Sequence, residues 1–459
     1  MDKKKYHFIA IGGIGMSGLA KYLLENGFEV SGSDISDSKY VAKLRDMGAQ
    51  VYIGHKEENL PDDCVVVAST AIRAENPEIV KAKRLNLPIY HRSDLLAEIS
   101  RSEKKFIGFA GTHGKTTTSG LCSYVLDKGG LNPSFVDGGI VPELNTNAQC
   151  KKGLHFVAEL DESDGTLIKY QPDVAVINNL EADHLDYYTN GIDGVLEVFQ
   201  KFVCKLKNDA KVLLNVDDAG VVSLKSRIWG DIYTYALDND ADFVANNINY
   251  GSESTSFDVY YKNDFLGEFK IILKGRYNVY NSLAVIAALY LSGVDLNLVK
   301  EHFATFSGMG RRFDYVGKLQ NAVNVDIYDD YAHHPTEIKA VLSAAKTLNR
   351  RVVAVFQPHR FTRLQNLWID FLESMKDVDF VVVTDVFSAS EDAIDGITGE
   401  VFAKELGAMH LAGDMKTVAS QLLPLLRDGD VVLGMGAGTI TNLGKELLAL
   451  DKEVLKLGN

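Results

Sequence analysis

The strongest constraint on the fold of this 459-residue chain is a glycine-rich segment that follows an apolar run. Residues 106–110 lead directly into Gly111-Thr-His-Gly-Lys-Thr-Thr-Thr118. A Gly-Lys-Thr sequence between a strand and a helix is typical of a phosphate-binding loop, whose backbone N–H groups and helix dipole hold the phosphates. In such a loop Lys115 neutralises phosphate charge and the Thr116 hydroxyl takes Mg²⁺. The alternative is a glycine-rich turn whose lysine is a solvated surface charge.

The loop is a variant of the usual phosphate-loop spacing. Phe109 stands where the first glycine is expected, and Gly111 follows two residues later. We nevertheless predict a nucleotide site here. Its predicted residues are Gly111, Thr112, His113, Gly114, Lys115, Thr116 and Thr117.

Length, charge and cysteine content exclude several classes of protein. At roughly 150 residues per domain, the chain suggests about three domains and needs no disulfide scaffold. Its four cysteines (Cys64, Cys122, Cys150 and Cys204) never form Cys-x-x-Cys, so local spacing builds neither a zinc knuckle nor a redox dithiol. The formal charge of -14, from 48 Lys+Arg against 62 Asp+Glu, argues against a nucleic-acid partner, which requires a basic face.

Hydropathy argues against membrane insertion. The longest stretch without a charge, residues 277–294, is interrupted by polar residues and glycine and has the periodicity of a buried helix. Lys3, Lys4 and Lys5 precede an apolar run as in a secretory signal, but that run is short and gives way to glycines. We therefore expect a cytoplasmic protein.

Alternating apolar strands and amphipathic helices predict an α/β protein of three domains. We expect a Rossmann-like domain at 1–102, a central phosphate-loop ATPase-like domain with a mixed sheet at 103–308, and a C-terminal Rossmann-like domain at 309–459. The polar stretch 100–105 is the predicted first linker. Predicted strands lie at residues 7–11, 28–33, 64–68, 106–109, 156–160, 174–177, 323–328, 351–356, 380–384 and 431–434, with a β-rich patch at 256–273 and helices at about 17–26 and 281–291.

A second glycine-rich loop lies near the N-terminus. Gly13-x-Gly15-x-x-Gly18 follows a strand and opens a helix, as in dinucleotide-binding folds, where glycines let the backbone approach a diphosphate. Asp34 ends the next strand, at about the distance expected for a contact with a ribose hydroxyl. The loop predicts a diphosphate-bearing ligand without identifying the nucleotide. Glycines that only pack a helix against a strand are the alternative.

Acidic residues follow two strands of the predicted central domain. Glu159-Leu-Asp-Glu-Ser-Asp164 ends one strand, and Mg²⁺ needs only one or two carboxylates there because it keeps several waters. Glu181-Ala-Asp-His-Leu-Asp186 ends another strand with a histidine among acids. A lone histidine is more often structural, but open α/β sheets bind ligands at the carboxyl ends of their strands. We therefore predict a functional role for His184.

Taken together, these motifs resemble those of the Mur ligase family. The resemblance rests on the loop at 111–118, on Ala158-Glu-Leu-Asp-Glu-Ser-Asp-Gly165 and on Glu181-Ala-Asp-His184. It runs the full chain through residues 7–20, 275–281, 310–313, 329–337 and 356–363. The last two segments are similar to those of the alanine-adding branch of the family.

The resemblance implies ATP-dependent amide formation. The lactyl carboxylate of UDP-N-acetylmuramate would attack the γ-phosphate of ATP, and the amine of L-alanine would then attack the acyl phosphate, leaving ADP and phosphate. It implies Mg²⁺ as the metal, with Mn²⁺ as a substitute. For the assembly we expect a monomer or a weak homodimer.

Individual residues acquire roles from the same resemblance. The UDP-sugar would contact Gly13, Ile14, Gly15, Met16, Ser17, Asp34, Ser69 and Thr70. ATP would contact residues 111–117 together with Asn278, Asn281, Arg312 and Asp330. The metal ligands would be Thr116, Glu159 and His184. The catalytic residues would be Lys115, Glu159, His184 and His333, and the amino acid would contact Tyr331, His359, Arg360 and Arg363.

Alternatives accompany several of these roles. The planar guanidinium group of arginine can donate two hydrogen bonds to one carboxylate, which suits the role given to Arg360 and Arg363. The spacing of these two residues also fits a solvated helix face. Arg312 could form a hinge-side ion pair instead of a phosphate contact. Two departures from the family pattern concern the central domain. Tyr277 stands where the family often has histidine, and Phe199 stands where sister ligases carry a carbamylated lysine, so we predict no carbamylation.

Three other functions are weighed against the ligase. A ligase that recycles murein tripeptide starts from the same sugar nucleotide, but typically carries tyrosine where Ser163 stands. A nicotinamide oxidoreductase could use the first glycine loop, yet it leaves Gly114-Lys115-Thr116 unexplained. A non-enzymatic nucleotide-binding module does not require a glutamate and a histidine together at a metal site.

Overall fold

Short apolar runs alternate with amphipathic helices, and in the computed structural model these runs form three β-sheets flanked by helices. The structure describes residues 4–102, 105–184, 187–251, 253–389 and 391–457. The predicted α/β class with parallel and mixed sheets is confirmed. In the described ranges, no helix combines the length and the apolar character that a membrane crossing requires.

The first sheet is built from five parallel strands in the described part of the chain. Its elements are β1 (Lys5–Ile9), α1 (Ile14–Glu25), β2 (Glu29–Asp34), α2 (Lys39–Asp46), β3 (Gln50–Ile53), β4 (Val65–Ala68), α3 (Pro77–Arg84), β5 (Ile89–His91) and α4 (Arg92–Ser102). The strand order is β3-β2-β1-β4-β5. Parallel neighbours require crossover helices, which the intervening amphipathic segments supply.

Two expectations for this region were wrong in detail. Helix α1 begins at Ile14 rather than near residue 17, because Gly13 is extended (φ -64°, ψ 147°) and caps a first turn that contains Gly15. The predicted linker at 100–105 is largely absent, because α4 reaches Ser102 and the next strand starts at Lys105. Glu103 and Lys104 lie outside the described residues.

The second sheet is mixed and has ten strands within the described ranges. Its elements are β6 (Lys105–Ala110), α5 (Lys115–Lys128), β7 (Ser134–Val141), β8 (Thr146–Gln149), β9 (His155–Glu159), β10 (Val174–Ile177), α6 (Ile192–Cys204), β11 (Lys211–Asn215), α7 (Ala219–Lys225), β12 (Asp231–Ala236), β13 (Phe243–Tyr250), β14 (Thr255–Tyr261), β15 (Asp264–Ile271) and α8 (Arg276–Leu291). The order is β15-β14-β13-β12-β11-β10-β6-β9-β7-β8. Strand β6 lies between β10 and β9, so the glycine-rich loop leaves the middle of the parallel region.

The third sheet has six strands among the described residues. Its elements are β16 (Asp314–Leu319), β17 (Val325–Asp330), α9 (Pro335–Lys346), β18 (Val352–Phe356), α10 (Phe361–Asn366), α11 (Trp368–Met375), β19 (Phe380–Thr384), α12 (Gly399–Leu406), β20 (Met409–Leu411), α13 (Met415–Leu422), β21 (Val431–Met435) and α14 (Leu443–Leu457). The order is β16-β17-β21-β18-β19-β20, and only the β16–β17 pair is antiparallel within this described sheet.

Contacts between residues divide the chain into two compact units. The first unit comprises 1–273 and 278–307 and contains the first two sheets. The second unit comprises 274–277 and 308–459 and contains the third sheet. The predicted domain ranges 1–102, 103–308 and 309–459 stay predictions.

Candidate nucleotide-binding site

The glycine-rich loop turns sharply between β6 and α5. Gly111 and Gly114 both have left-handed backbones, with φ of 127° and 82°. A Cβ atom would lie 2.9 Å from the Asn179 carbonyl oxygen at Gly111 and 2.8 Å from Asn281 Oδ1 at Gly114. Glycine is therefore required at both positions for steric and conformational reasons. Gly114 offers no side chain to cap α5, which leaves the first turn suited to an anion.

Polar groups from neighbouring strand ends hold the loop in place. The His113 N–H donates to Asn179 Oδ1 (2.7 Å), and Thr112 Oγ1 accepts the Glu181 N–H (2.9 Å). On α8, Asn281 Nδ2 donates to Asn278 Oδ1 (3.2 Å), and both side chains are buried. Thr117 is buried in the first turn of α5. The sequence assigned roles to Asn278 and Asn281 but none to Asn179, although its position at a strand end was a usable signal.

Lys115 is folded back onto its own loop. Its ammonium donates to the carbonyl oxygens of Gly111 (2.6 Å) and Thr112 (2.9 Å) and to Glu162 Oε1 (3.0 Å). Burial lowers the pKa of Lys115, but the carboxylates of Glu162, Glu159 and Asp161 outweigh that effect and leave the pKa above its ordinary value. The ammonium group is therefore held charged at the start of α5.

Two of the three predicted metal ligands lie together. Thr116 Oγ1 donates to Glu159 Oε2 (2.8 Å), and the Gly138 N–H donates to the same oxygen (3.1 Å). The third, His184, has a left-handed backbone (φ 53°), and its Nε2 atom lies 3.9 Å from Glu162 Oε1. The hydroxyl and the carboxylate fit Mg²⁺, which prefers oxygen ligands. Asp186, part of the same motif as His184, lies outside the described residues.

The first glycine loop is supported by Asp34. One carboxylate oxygen of Asp34 accepts the Gly12 N–H (2.8 Å) and the other accepts the Ser36 N–H (3.0 Å). The Asp34 carboxylate thus stabilises the loop. Its contact with a ribose hydroxyl stays a prediction. The other predicted sugar-nucleotide residues, Gly13, Ile14, Gly15, Met16, Ser17, Ser69 and Thr70, lie at the start of α1 or directly after β4.

A cavity of about 260 Å³ borders the same helix. Ser17 and Lys21 of α1, Tyr40 of α2 and Asn147 of β8 are among its lining residues. Asn147 Nδ2 donates to the Ile14 carbonyl oxygen (2.7 Å), so β8 of the second sheet contacts the first glycine loop.

In the second unit, a cluster of side chains forms around Tyr331, which directly follows β17. Arg312 of this cluster was predicted as a site residue, whereas Arg311 was not. The guanidinium groups of Arg311 and Arg312 lie 4.9 and 5.3 Å from the centre of the Tyr331 ring. Arg312 Nη1 also lies 3.5 Å from Glu337 Oε1. Its ATP contact and the alternative of a hinge-side ion pair both stay predictions. Asp330 accepts the N–H groups of Phe313 (2.6 Å) and Ala332 (2.7 Å), and burial raises its pKa to about 6.

Two histidines of this cluster are uncharged at neutral pH. Burial lowers the pKa of His333 to about 4 and that of His359 to about 3, and nearby arginines add to both shifts. The two rings lie 5.9 Å apart, and Arg363 Nη1 lies 3.2 Å from His359 Nδ1. Arg360 has a left-handed backbone (φ 69°), with Nε 3.9 Å from Glu391. The arrangement presents cationic groups beside neutral imidazoles, which suits a carboxylate ligand.

The sheet order and the strand–loop–helix unit with its partly buried lysine define an α/β protein of the phosphate-loop class. Three family descriptions match successive parts of the chain: "Mur ligase family, catalytic domain" at 5–104, "Mur ligase middle domain" at 109–289, and "Mur ligase, glutamate ligase domain" at 311–438. The chain belongs to the Mur ligase family, which confirms the resemblance seen in its motifs.

Individual relatives are similar over nearly the whole chain. The UDP-N-acetylmuramate–L-alanine ligase of Geobacter sulfurreducens is 41% identical, with 98% of both chains covered. Among solved structures, UDP-N-acetylmuramate-alanine ligase from Thermotoga maritima has a TM-score of 0.82 at 30% identity, covering 98% of this chain and 99% of that one. A murein peptide ligase from Psychrobacter arcticus has a TM-score of 0.74 at 22% identity, covering 98% of both chains, and shares the fold.

Proposed function

We propose that this chain is an ATP-dependent ligase that joins L-alanine to UDP-N-acetylmuramate in the cytoplasmic synthesis of peptidoglycan precursors. The products are UDP-N-acetylmuramoyl-L-alanine, ADP and phosphate. The observation that carries the proposal is its full-length similarity to ligases named for this reaction. The contacts of the phosphate loop support the ATP part.

The chemistry proceeds in two balanced steps. A lactyl carboxylate oxygen attacks the γ-phosphorus, the bond to the bridging oxygen breaks, and ADP leaves with that electron pair. The amine of L-alanine then attacks the carbonyl carbon of the acyl phosphate and expels inorganic phosphate. The nitrogen of the new C–N bond loses a proton, which gives the neutral amide.

Charge on the transferred phosphoryl group is the main electrostatic demand of the first step. Lys115 at the start of α5 supplies a partly buried cation, and the N–H groups of the loop supply dipoles. Thr116 and Glu159 would hold Mg²⁺ or Mn²⁺, with His184 as a further ligand, and the ion would neutralise phosphate charge.

The amino-acid part of the proposal involves the second unit. Arg360 and Arg363 bind the carboxylate of L-alanine, and His359 beside Arg363 helps to orient it. His333 donates from Nδ1 to the Tyr331 carbonyl oxygen (2.9 Å), which leaves Nε2 as the atom that accepts a proton. Asn278, Asn281, Arg312 and Asp330 contact ATP, and Gly13–Ser17, Asp34, Ser69 and Thr70 contact the UDP-sugar.

For partners and assembly, we propose the three substrates UDP-N-acetylmuramate, L-alanine and ATP, no nucleic acid, no membrane insertion, and a monomer or weak homodimer.

Oxygen labelling tests the proposed route. With ¹⁸O in both lactyl carboxylate oxygens, one label is expected in each released phosphate and one in the amide product. Mass spectrometry measures the ¹⁸O content of the released phosphate and of the amide product. Unlabelled phosphate from a reaction that forms the alanine adduct would contradict the acyl-phosphate route.

A further inference from the structure

A buried acid beside the phosphate loop has no part in the reaction described above. Glu162 follows β9, three residues after Glu159, and its side chain is only 2% exposed. Its Oε1 and Oε2 atoms lie 3.0 and 2.9 Å from Lys115 Nζ. The contact joins residues 47 positions apart, so it was not visible as a sequence pattern.

The backbone around Glu162 is fixed. Its carbonyl oxygen accepts the Gly165 N–H (3.0 Å) and a hydrogen bond from the Tyr188 hydroxyl. The neighbouring acid, Asp161, is paired with Arg92 instead of Lys115. Each of these two acids therefore has its own cation, and the Glu162 carboxylate is within hydrogen-bond distance of Lys115.

All three hydrogens of the Lys115 ammonium are directed to partners in this arrangement. Two partners are carbonyl groups of the loop itself, Gly111 and Thr112, and the third is the Glu162 carboxylate. An incoming phosphate needs at least one of these hydrogens. A phosphate and a carboxylate in the same buried cradle repel each other, so the carboxylate is the partner that a phosphate replaces.

We propose that Glu162 is a resting counter-ion for the phosphate loop: it holds the Lys115 ammonium when no nucleotide is bound, and a nucleotide phosphate displaces it. The proposal rests on the proposed function in one respect, because it requires nucleotide binding at this loop. The Glu162 carboxylate competes with the nucleotide phosphate for Lys115, which weakens nucleotide affinity and speeds product release.

The sign of the expected effect separates this role from a merely structural one. Glu162→Gln keeps the shape of the side chain and removes the competing charge, so ADP should bind more tightly, by roughly 3- to 10-fold, which corresponds to a free energy of up to about 1.4 kcal/mol. A residue that only stabilised the loop would give weaker ADP binding when replaced. In Glu162→Gln the KM for ATP and the rate of ADP release should both fall.

The experiment is a calorimetric titration of the full chain with ADP at fixed salt in EDTA, which keeps metal ions out of the comparison. The variants are Glu162→Gln, Glu162→Asp, Lys115→Ala and Glu197→Gln. Glu197 is an exposed acid on α6 and controls for the loss of one negative charge. Glu162→Asp withdraws the carboxylate by one methylene, so its ADP affinity should lie between wild type and Glu162→Gln.

The outcomes distinguish the two proposals. If wild type does not bind ADP, or Lys115→Ala binds it as wild type does, the loop assignment itself is wrong and the counter-ion proposal falls with it. If Lys115→Ala loses binding while Glu162→Gln binds ADP equally or less tightly than wild type, only the counter-ion proposal is overturned. If Glu162→Gln does not fold, the ADP affinity of Glu162→Asp tests the proposal. Glu162→Asp that binds ADP no more tightly than wild type overturns it.

Discussion

Several ionisable side chains in the first unit are fully or partly buried, and their surroundings determine what each can do. Lys115 lies among its own loop carbonyls and Glu162, whereas Asp161 is paired with Arg92. Asp137 on β7 is 1% exposed, and burial raises its pKa well above the ordinary range. These residues therefore make separate predictions for activity and for stability.

Replacing Lys115 by alanine should remove the cation that we propose faces the transferred phosphoryl group. We expect ATP-dependent phosphate release to fall by on the order of 10²- to 10³-fold, the usual loss when one preorganised group that stabilises developing charge is removed. Lys128→Ala is the matched control, because Lys128 is exposed at the other end of α5. Full activity in Lys115→Ala would contradict the phosphate-loop assignment.

Asp137→Asn should stabilise the protein increasingly as pH rises. The raised pKa of Asp137 means that the folded state keeps a proton that the unfolded chain releases above its ordinary pKa, so the carboxyl costs stability with rising pH by up to about 1.4 kcal/mol per pH unit. Hydrogen exchange in β7 and α5 at pH 5 and pH 8 measures the effect, with exposed Asp231→Asn as control. An equal difference from wild type at both pH values would rule this out.

At the scale of elements, local patterns were predictable and long-range contacts were not. The strand before the phosphate loop was expected at 106–109 and forms at Lys105–Ala110, because an apolar run followed by glycines is a local signal. The start of α1 was missed because its first turn contains glycine. The Glu162–Lys115 and Thr116–Glu159 contacts depend on the order of β6 and β9 in the sheet, which the sequence does not encode locally.

Strand β7 positions the predicted metal carboxylate through Gly138. A Cβ atom at Gly138 would lie 2.1 Å from Glu159 Oε2, so alanine must displace the end of that side chain. We expect Gly138→Ala to raise the Mg²⁺ concentration for half-maximal phosphate release by about 10-fold or more while the fold is retained, as for other groups that orient metal ligands. Gly194→Ala on α6 is the control, since its nearest contact would be 3.4 Å. An unchanged Mg²⁺ dependence would argue against a metal at Glu159.

Helix α10 and the turn before it are expected to bind the amino-acid carboxylate. Arg363→Lys keeps the charge but loses the planar fork, so the KM for L-alanine should rise about 10-fold with little change in the KM for ATP. Exposed Arg427→Lys in the same unit is the control. A rise in the KM for ATP alone would move Arg363 from the amino-acid site to the nucleotide site.

For the whole molecule, the sequence predicted the class and the family, and both are confirmed. It did not predict that the first two sheets share one compact unit. That grouping depends on contacts such as Asn147 with the Ile14 carbonyl, between residues 133 positions apart. Site roles carried by the family resemblance, including those of His333, Arg360 and Arg363, stay predictions.

Phosphate release by the purified chain with ATP, Mg²⁺ and UDP-N-acetylmuramate tests the central claim most directly. Three reactions are compared: L-alanine added, no amino acid, and the L-Ala-γ-D-Glu-diaminopimelate tripeptide added. We predict release that is stimulated by L-alanine and not by the tripeptide. Stimulation by the tripeptide alone would identify the recycling ligase instead, and no stimulation by either would contradict the proposed substrates.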